Sequence, residues 1–144
     1  MASTINKKEM DKLMKTLKGF PDKVQKSVVT GSIRAGATTV REEIRSKVPR
    51  GTGALKKSIY IKKRRTKGNE VKYTVMPRKV VLPNGSKAKD TRQYAYYLEY
   101  GTEKMTAKPF IRPALTSVGN KPVTAARAYF TPRFKKLKAK EGFK

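Results

Sequence analysis

The apolar residues of this chain change their period at Pro49, and that change sets the class of fold open to it. Up to Val48 they recur at helical spacing: Val24, Val28, Val40, Ile44 and Val48 share one stripe, backed by Val29, Ile33 and Ala37. Further upstream, Ile5, Met10, Leu13, Met14, Leu17 and Phe20 fall near one face of a separate helix, which Gly19 and Pro21 end. Asp22 lies early in the longer helix, where a negative charge suits the helix start, and Pro49 closes it. Beyond Pro49 the period is two. Leu55, Ile59 and Ile61 alternate with Ser58, Tyr60 and Lys62; after a Lys67-Gly68-Asn69 turn, Val71, Tyr73 and Val75 alternate with Lys72 and Thr74. This predicts a long basic β-hairpin with one buried face. Val80, Val81 and Leu82 are expected as a short third strand or hairpin arm, and Ser86–Arg92 as a polar, mobile stretch.

Helical spacing then returns. Ile111, Leu115 and Val118 predict a short helix stopped by Gly119-Asn120. Val123, Ala126, Phe130, Phe134 and Leu137 predict another, kinked or restarted at Pro132 with Thr131 as its cap. N-terminal helices, a small antiparallel sheet and C-terminal helices make an α+β chain. A length of 144 residues suits one domain, 1–144: helical over 1–49, a β-hairpin region over 50–93, an aromatic region over 94–119 and a basic C-terminal helix over 120–144. The long helix carries Gly31 and Gly36 among Ser32 and Ala35. Each glycine costs a helix about 1 kcal/mol against alanine, so either another backbone packs closely there or the helix hinges.

The 36 Lys and Arg outnumber the 10 Asp and Glu, a net charge of +26. Self-repulsion on that scale weakens a compact state and draws the chain to polyanions: nucleic acid, an anionic membrane face or an acidic protein surface. With apolar residues at only 37%, burial against partner subunits would help the fold. The charge is uneven. Residues 50–93 carry 14 basic and 2 acidic residues, whereas 94–119 carry 3 and 2. A nearly neutral aromatic segment inside a basic chain reads as a packing or interface element. The cations Lys62, Lys63, Arg64, Arg65 and Lys67 near the hairpin tip read as an electrostatic arm.

Chemistry is sparse. There is no cysteine, so no disulfide or thiolate chemistry, and no histidine, the commonest general base and metal ligand. Residues 1–10 hold no apolar run of signal-peptide length, and nowhere do about 18 apolar residues run together, so synthesis and residence in a cytoplasm-like compartment are expected and no membrane partner. Arg50-Gly51-Thr52-Gly53 lacks phosphate-loop spacing and leads from helix to strand, the reverse of the required context. Glu42 and Glu43 diverge by about 100° on their helix. Glu99 and Glu103 are the only closely spaced acids of the aromatic segment, and Glu99 is expected to pair with an Arg or cap backbone N–H groups. No catalytic residue, metal or cofactor is expected. Non-specific nucleic-acid binding is the alternative that charge supports, although the tyrosines cluster at 94–100, away from the lysine runs, with Tyr60, Tyr73 and Tyr129 as exceptions; a single-strand binder interleaves the two.

Two stretches carry a resemblance. One is Val48-Pro49, Thr52-Gly53-Ala54-Leu55 and Ser58-Ile59. The other runs from Tyr94-Ala95-Tyr96-Tyr97-Leu98-Glu99-Tyr100-Gly101-Thr102 through Met105 to Ala107-Lys108-Pro109-Phe110-Ile111-Arg112-Pro113-Ala114. In order and spacing, roughly over 20–119, the chain resembles the head–tail joining, or tail-completion, proteins of long-tailed bacteriophages. It departs from them in Gly51, in an inserted Leu82–Arg92 and in its charge. The resemblance implies a non-enzymatic subunit of the virion neck, assembled in the host cytoplasm. Such subunits form a homo-oligomeric ring, commonly a hexamer, between the head connector or stopper and the tail tube or terminator, around the channel that viral DNA passes through. The same resemblance assigns assembly and packing to Tyr94, Tyr97, Glu99, Tyr100, Gly101, Thr102, Pro109, Phe110, Arg112 and Pro113.

Overall fold

A computed structural model describes residues 22–49, 51, 53–64, 70–80 and 90–140. The helix expected over 5–20, the Lys67-Gly68-Asn69 turn, Val81 and Leu82 lie outside them. In chain order the elements are α1 (Asp22–Lys47), α2 (Ala54–Ser58), β1 (Ile59–Arg64), β2 (Lys72–Pro77), α3 (Thr91–Tyr100), α4 (Ile111–Val118) and α5 (Lys121–Lys140). The architecture is α+β, with helices flanking a two-stranded antiparallel sheet.

α1 is the spine, meeting α4, α5 and both strands. Its C-terminal half contributes Ile44 to a core that also takes Leu55 from α2, Ile59 from β1, Ala95 and Leu98 from α3, Phe110, and Ala114 from α4. Its N-terminal half packs on α5, and here the small residues of α1 matter. A Cβ on Gly36 would lie 2.9 Å from the backbone oxygen of Pro122, and one on Gly31 would collide with the Tyr129 ring. The glycines therefore mark a close helix–helix approach. Buried Ser32 sits in the same seam and satisfies its hydroxyl by donating to the Val28 carbonyl at 2.8 Å.

Several expectations need correcting. Leu55 begins no strand: residues 54–58 form a helical turn, closed by the Lys57 N–H donating to the Gly53 carbonyl at 3.0 Å, with the Ser58 hydroxyl donating to the Leu55 carbonyl at 2.6 Å, and the chain straightens only at Ile59. The sheet pairs Ile59 with Pro77 through Arg64 with Lys72. Its buried face is confined to its base, for Ile59 is buried while Lys62, Lys63 and Arg64 are exposed. Val80 lies in no strand. Asp90, Thr91 and Arg92 are not loose polar residues. Asp90 caps α3 by accepting from the Arg92 N–H at 3.0 Å, and the Thr91 hydroxyl donates to the Arg78 carbonyl. On α4, Ala114 and Val118 are the buried residues and Leu115 is exposed. Pro132 neither restarts nor ends α5, which runs through it, and the Thr131 hydroxyl donates back to the Arg127 carbonyl at 2.9 Å instead of capping a new helix.

Candidate functional site: the aromatic face and its brace

α3 divides its residues sharply. Thr91, Ala95, Leu98 and Glu99 are buried, whereas Tyr94, Tyr96, Tyr97 and Tyr100 are exposed. Helical spacing puts Tyr96 and Tyr100 one turn apart, with ring centroids 4.8 Å from each other, and Tyr97 stands edge-on to Tyr96 at 6.3 Å. Gln93 donates to the Tyr97 hydroxyl at 2.7 Å. The cations beside this face are already neutralised. Arg92 pairs with Asp90 at 3.2 Å, and Arg112 lies 3.5 Å from Glu99 with its guanidinium 4.8 Å from the Tyr100 ring centroid. Within a very basic chain the result is an aromatic surface with little net charge.

The segment that follows holds this helix in place. Gly101 stops α3 at φ 79°, its N–H donating to the Tyr97 carbonyl at 2.8 Å. A side chain there would meet the Met105 oxygen and Ala107 nitrogen at 3.0 Å, so both the dihedral and the space demand glycine. Thr102 and Met105 then exchange backbone hydrogen bonds across a tight turn, and the Lys108 N–H returns to the Leu98 carbonyl at 2.7 Å. Pro109 is exposed, and Phe110, only 1% accessible, plugs the core.

Glu99 closes the junction. Its buried carboxylate accepts from three successive backbone N–H groups: Phe110 and Ile111 at 2.9 Å and Arg112 at 3.1 Å. These are donors of the α4 N-terminus that have no partner within the helix. Pro113 follows without an N–H to satisfy, and the Ala114 N–H makes the first helical bond, to Phe110. Burial pushes the Glu99 carboxyl up, but the three N–H bonds with Arg112 outweigh it and hold it below its ordinary 4.5. Glu99 thus takes both structural roles expected of it and is spent on holding α3 to α4.

Glu42 and Glu43 part company as their spacing requires. Glu42 pairs with Arg41 at 2.7 Å, while Glu43 accepts from Ser117 at 2.7 Å and Lys121 at 3.3 Å. The bond from Ser117, then that from Lys121, holds the Glu43 carboxyl below its ordinary range. Among the described residues, no group of three metal-ligating acids comes together, and no helix is long and apolar enough to cross a membrane.

The arm residues divide between two faces. Lys62 and Arg64 point one way, with Arg64 donating to the Thr74 hydroxyl at 3.3 Å, and Lys63, opposite Tyr73, shares the other face with Ile59 and Ile61. Arg65 and Lys67 lie outside the described residues. Sequence reasoning left Tyr96 out of the site, although its i,i+4 spacing to Tyr100 was there to be read.

α3 thus presents an exposed aromatic face braced by a buried carboxylate. In a comparison with known families, a family of bacteriophage tail components matches residues 11–101. The chain belongs to that family, the HK97-gp10-like family, described as "Bacteriophage HK97-gp10, putative tail-component". As a tail component it is a structural protein of the virion. The match takes in α1 through α3 and ends at Gly101. Neither a curated protein nor a solved structure matches the chain.

Proposed function

We propose that this tail component is a non-enzymatic subunit of the phage neck, which closes into a homo-oligomeric ring, a hexamer by resemblance, and joins the head connector or stopper to the tail tube or terminator. The observation that carries the reading is the exposed tyrosine face on α3, held rigid by the Glu99 junction. Tyrosines supply large contact area at little conformational cost, and charge is depleted at the centres of interfaces. A ring subunit needs two different surfaces, and the outward cations Lys62 and Arg64 on the hairpin offer a second, suited to acidic neighbours. DNA would pass through the ring's channel.

The test is electron microscopy of lysates from the parent virus with this gene disrupted. Filled heads and separate tails are the expected picture; normal infectious particles would overturn the reading. Complementing the disruption with a Tyr96→Asp, Tyr100→Asp chain should leave heads and tails apart while the purified variant keeps its wild-type circular dichroism. Full rescue by that variant would remove the tyrosine face from assembly.

A further inference from the structure

One strongly charged feature lies away from the tyrosine face. An open cleft of about 640 Å³ runs between the N-terminal half of α1, the outer part of the hairpin and α5. Its floor is one stripe of α1, in which Lys26, Thr30, Arg34 and Thr38 recur every four residues, about 6 Å apart along the axis. The hairpin adds Lys63 and Tyr73, a directly opposed cross-strand pair. α5 adds Tyr129, whose ring is seated over Gly31 and covered by the Arg133 guanidinium 3.6 Å from its centroid. Among the residues whose side chains are described, no carboxylate lines the cleft, and no ion pair joins such a carboxylate to Lys26, Arg34 or Lys63.

Chain order hides this arrangement. Lys26, Lys63, Tyr73 and Tyr129 are spread over a hundred residues, yet the fold interleaves two of the three tyrosines that stand apart from the aromatic cluster with the cations Lys26, Arg34 and Lys63. Lysine and arginine alternating with hydroxyls is the donor set that sugar–phosphate backbones take. Cations on α1 and the hairpin, and tyrosines on the hairpin and α5, line one cleft, the combination of backbone charge and ring surface that single strands use. The Arg133 guanidinium already occupies one face of the Tyr129 ring, so Tyr73 is the residue against which a base can lie.

We propose that this cleft binds the sugar–phosphate backbone of a single nucleic-acid strand, with Lys26, Arg34 and Lys63 on the phosphates and Tyr73 beside a base. The site stands apart from the tyrosine face and does not depend on the ring reading.

A chain of charge +26 binds any polyanion, so the experiment compares variants of equal charge. Binding of a fluorescein-labelled twelve-nucleotide DNA strand is followed by anisotropy across a salt series. It uses the wild type, a cleft triple variant (Lys26→Ala, Arg34→Ala, Lys63→Ala) and a control triple variant (Lys104→Ala, Lys108→Ala, Arg127→Ala). The expected result is at least a tenfold loss for the cleft triple near 0.15 M salt, a loss under threefold for the control, and a shallower salt slope only for the former. Tyr73→Ala should cost a further few-fold that Tyr73→Phe does not. Equal losses in both triples would overturn the site, as would tighter binding of the same sequence as duplex. Equal competition by a poly-glutamate peptide, or displacement by millimolar inorganic phosphate at constant ionic strength, would overturn the assignment in favour of an acidic protein or a free anion. Should the triple fold poorly, Lys63→Glu, on the exposed end of β1, reads the same loss.

Discussion

Glu99→Ala lowers stability by about 3 kcal/mol, a fall of about 10 °C in Tm for a chain of this length. The substitution leaves three N–H groups of the α4 N-terminus without their acceptor, and the Phe110 N–H is buried where water reaches it poorly. Glu99→Gln costs roughly half as much. Its carbonyl oxygen can keep the two bonds to Phe110 and Ile111, while its NH2 group faces the Arg112 N–H. Arg112→Ala stays within about 0.5 kcal/mol of wild type, since the Arg112 side chain is 63% exposed and an ion pair so hydrated contributes little. Thermal melts of the three variants check the order, and a large loss for Arg112→Ala would move the junction's strength from the cap to the ion pair.

The same cap fixes a pH response. The folded-state Glu99 carboxyl lies below 4.5, so its contribution is complete above that pH and is lost as pH falls through the lowered folded value. Urea unfolding of the wild type should show stability declining below about pH 4.5, and Glu99→Gln should decline less steeply. The slope does not vanish in the variant, because Asp90, bonded to the Arg92 side chain and N–H, and Glu43 are lowered as well. Identical acid slopes in the two proteins would remove Glu99 from the response.

Gly36→Val should be the most damaging single change in the α1–α5 seam. A backbone oxygen 2.9 Å from the added Cβ cannot rotate away as a side chain can, so the two helices must separate. Overpacking of this kind costs about 3 kcal/mol. Gly36→Ala sharpens the point because two effects compete. Alanine gains about 1 kcal/mol of helix preference, yet the forced separation outweighs it, for a net loss of about 1–2 kcal/mol. Circular-dichroism melts decide the sign. A more stable Gly36→Ala protein would mean that Pro122 yields easily and that the glycine does not set the helix spacing.

Much of this architecture was legible because period and punctuation agree. Asp22 to Pro49 reads as one helix and folds as one, and alternation from Ile59 and through Val75 marks the two strands. Where legibility failed, local side-chain bonds mark the places. The Ser58 hydroxyl is bonded back within the Ala54–Ser58 helical turn, and the Asp90 cap marks the start of α3 within a polar stretch. At Pro132 the restart with a Thr131 cap did not occur: α5 runs through the proline within a helix packed along α1. Glu99 was readable in type, as a carboxylate among cations with a proline-containing segment ahead. Its three partners were not, since they lie 11 to 13 residues downstream and meet it only once Gly101 has reversed the chain. The cleft was invisible for the same reason, as its residues are assembled by three elements.

The junction between α3 and α4 also decides how force travels through the subunit. A partner pulling on Tyr96 or Tyr100 pulls on a helix whose far end is moored through Thr91 to the carbonyl of Arg78, next to β2, and whose near end is moored through Glu99 to α4 and through Leu98 to Lys108. Tension entering at the rings is therefore shared at once between the strand pair and the Phe110 plug. In the ring proposed above, the tyrosine face would act as a stiff coupling, and strain between subunits would be relieved towards Lys62–Arg64 of the hairpin, where burial runs out.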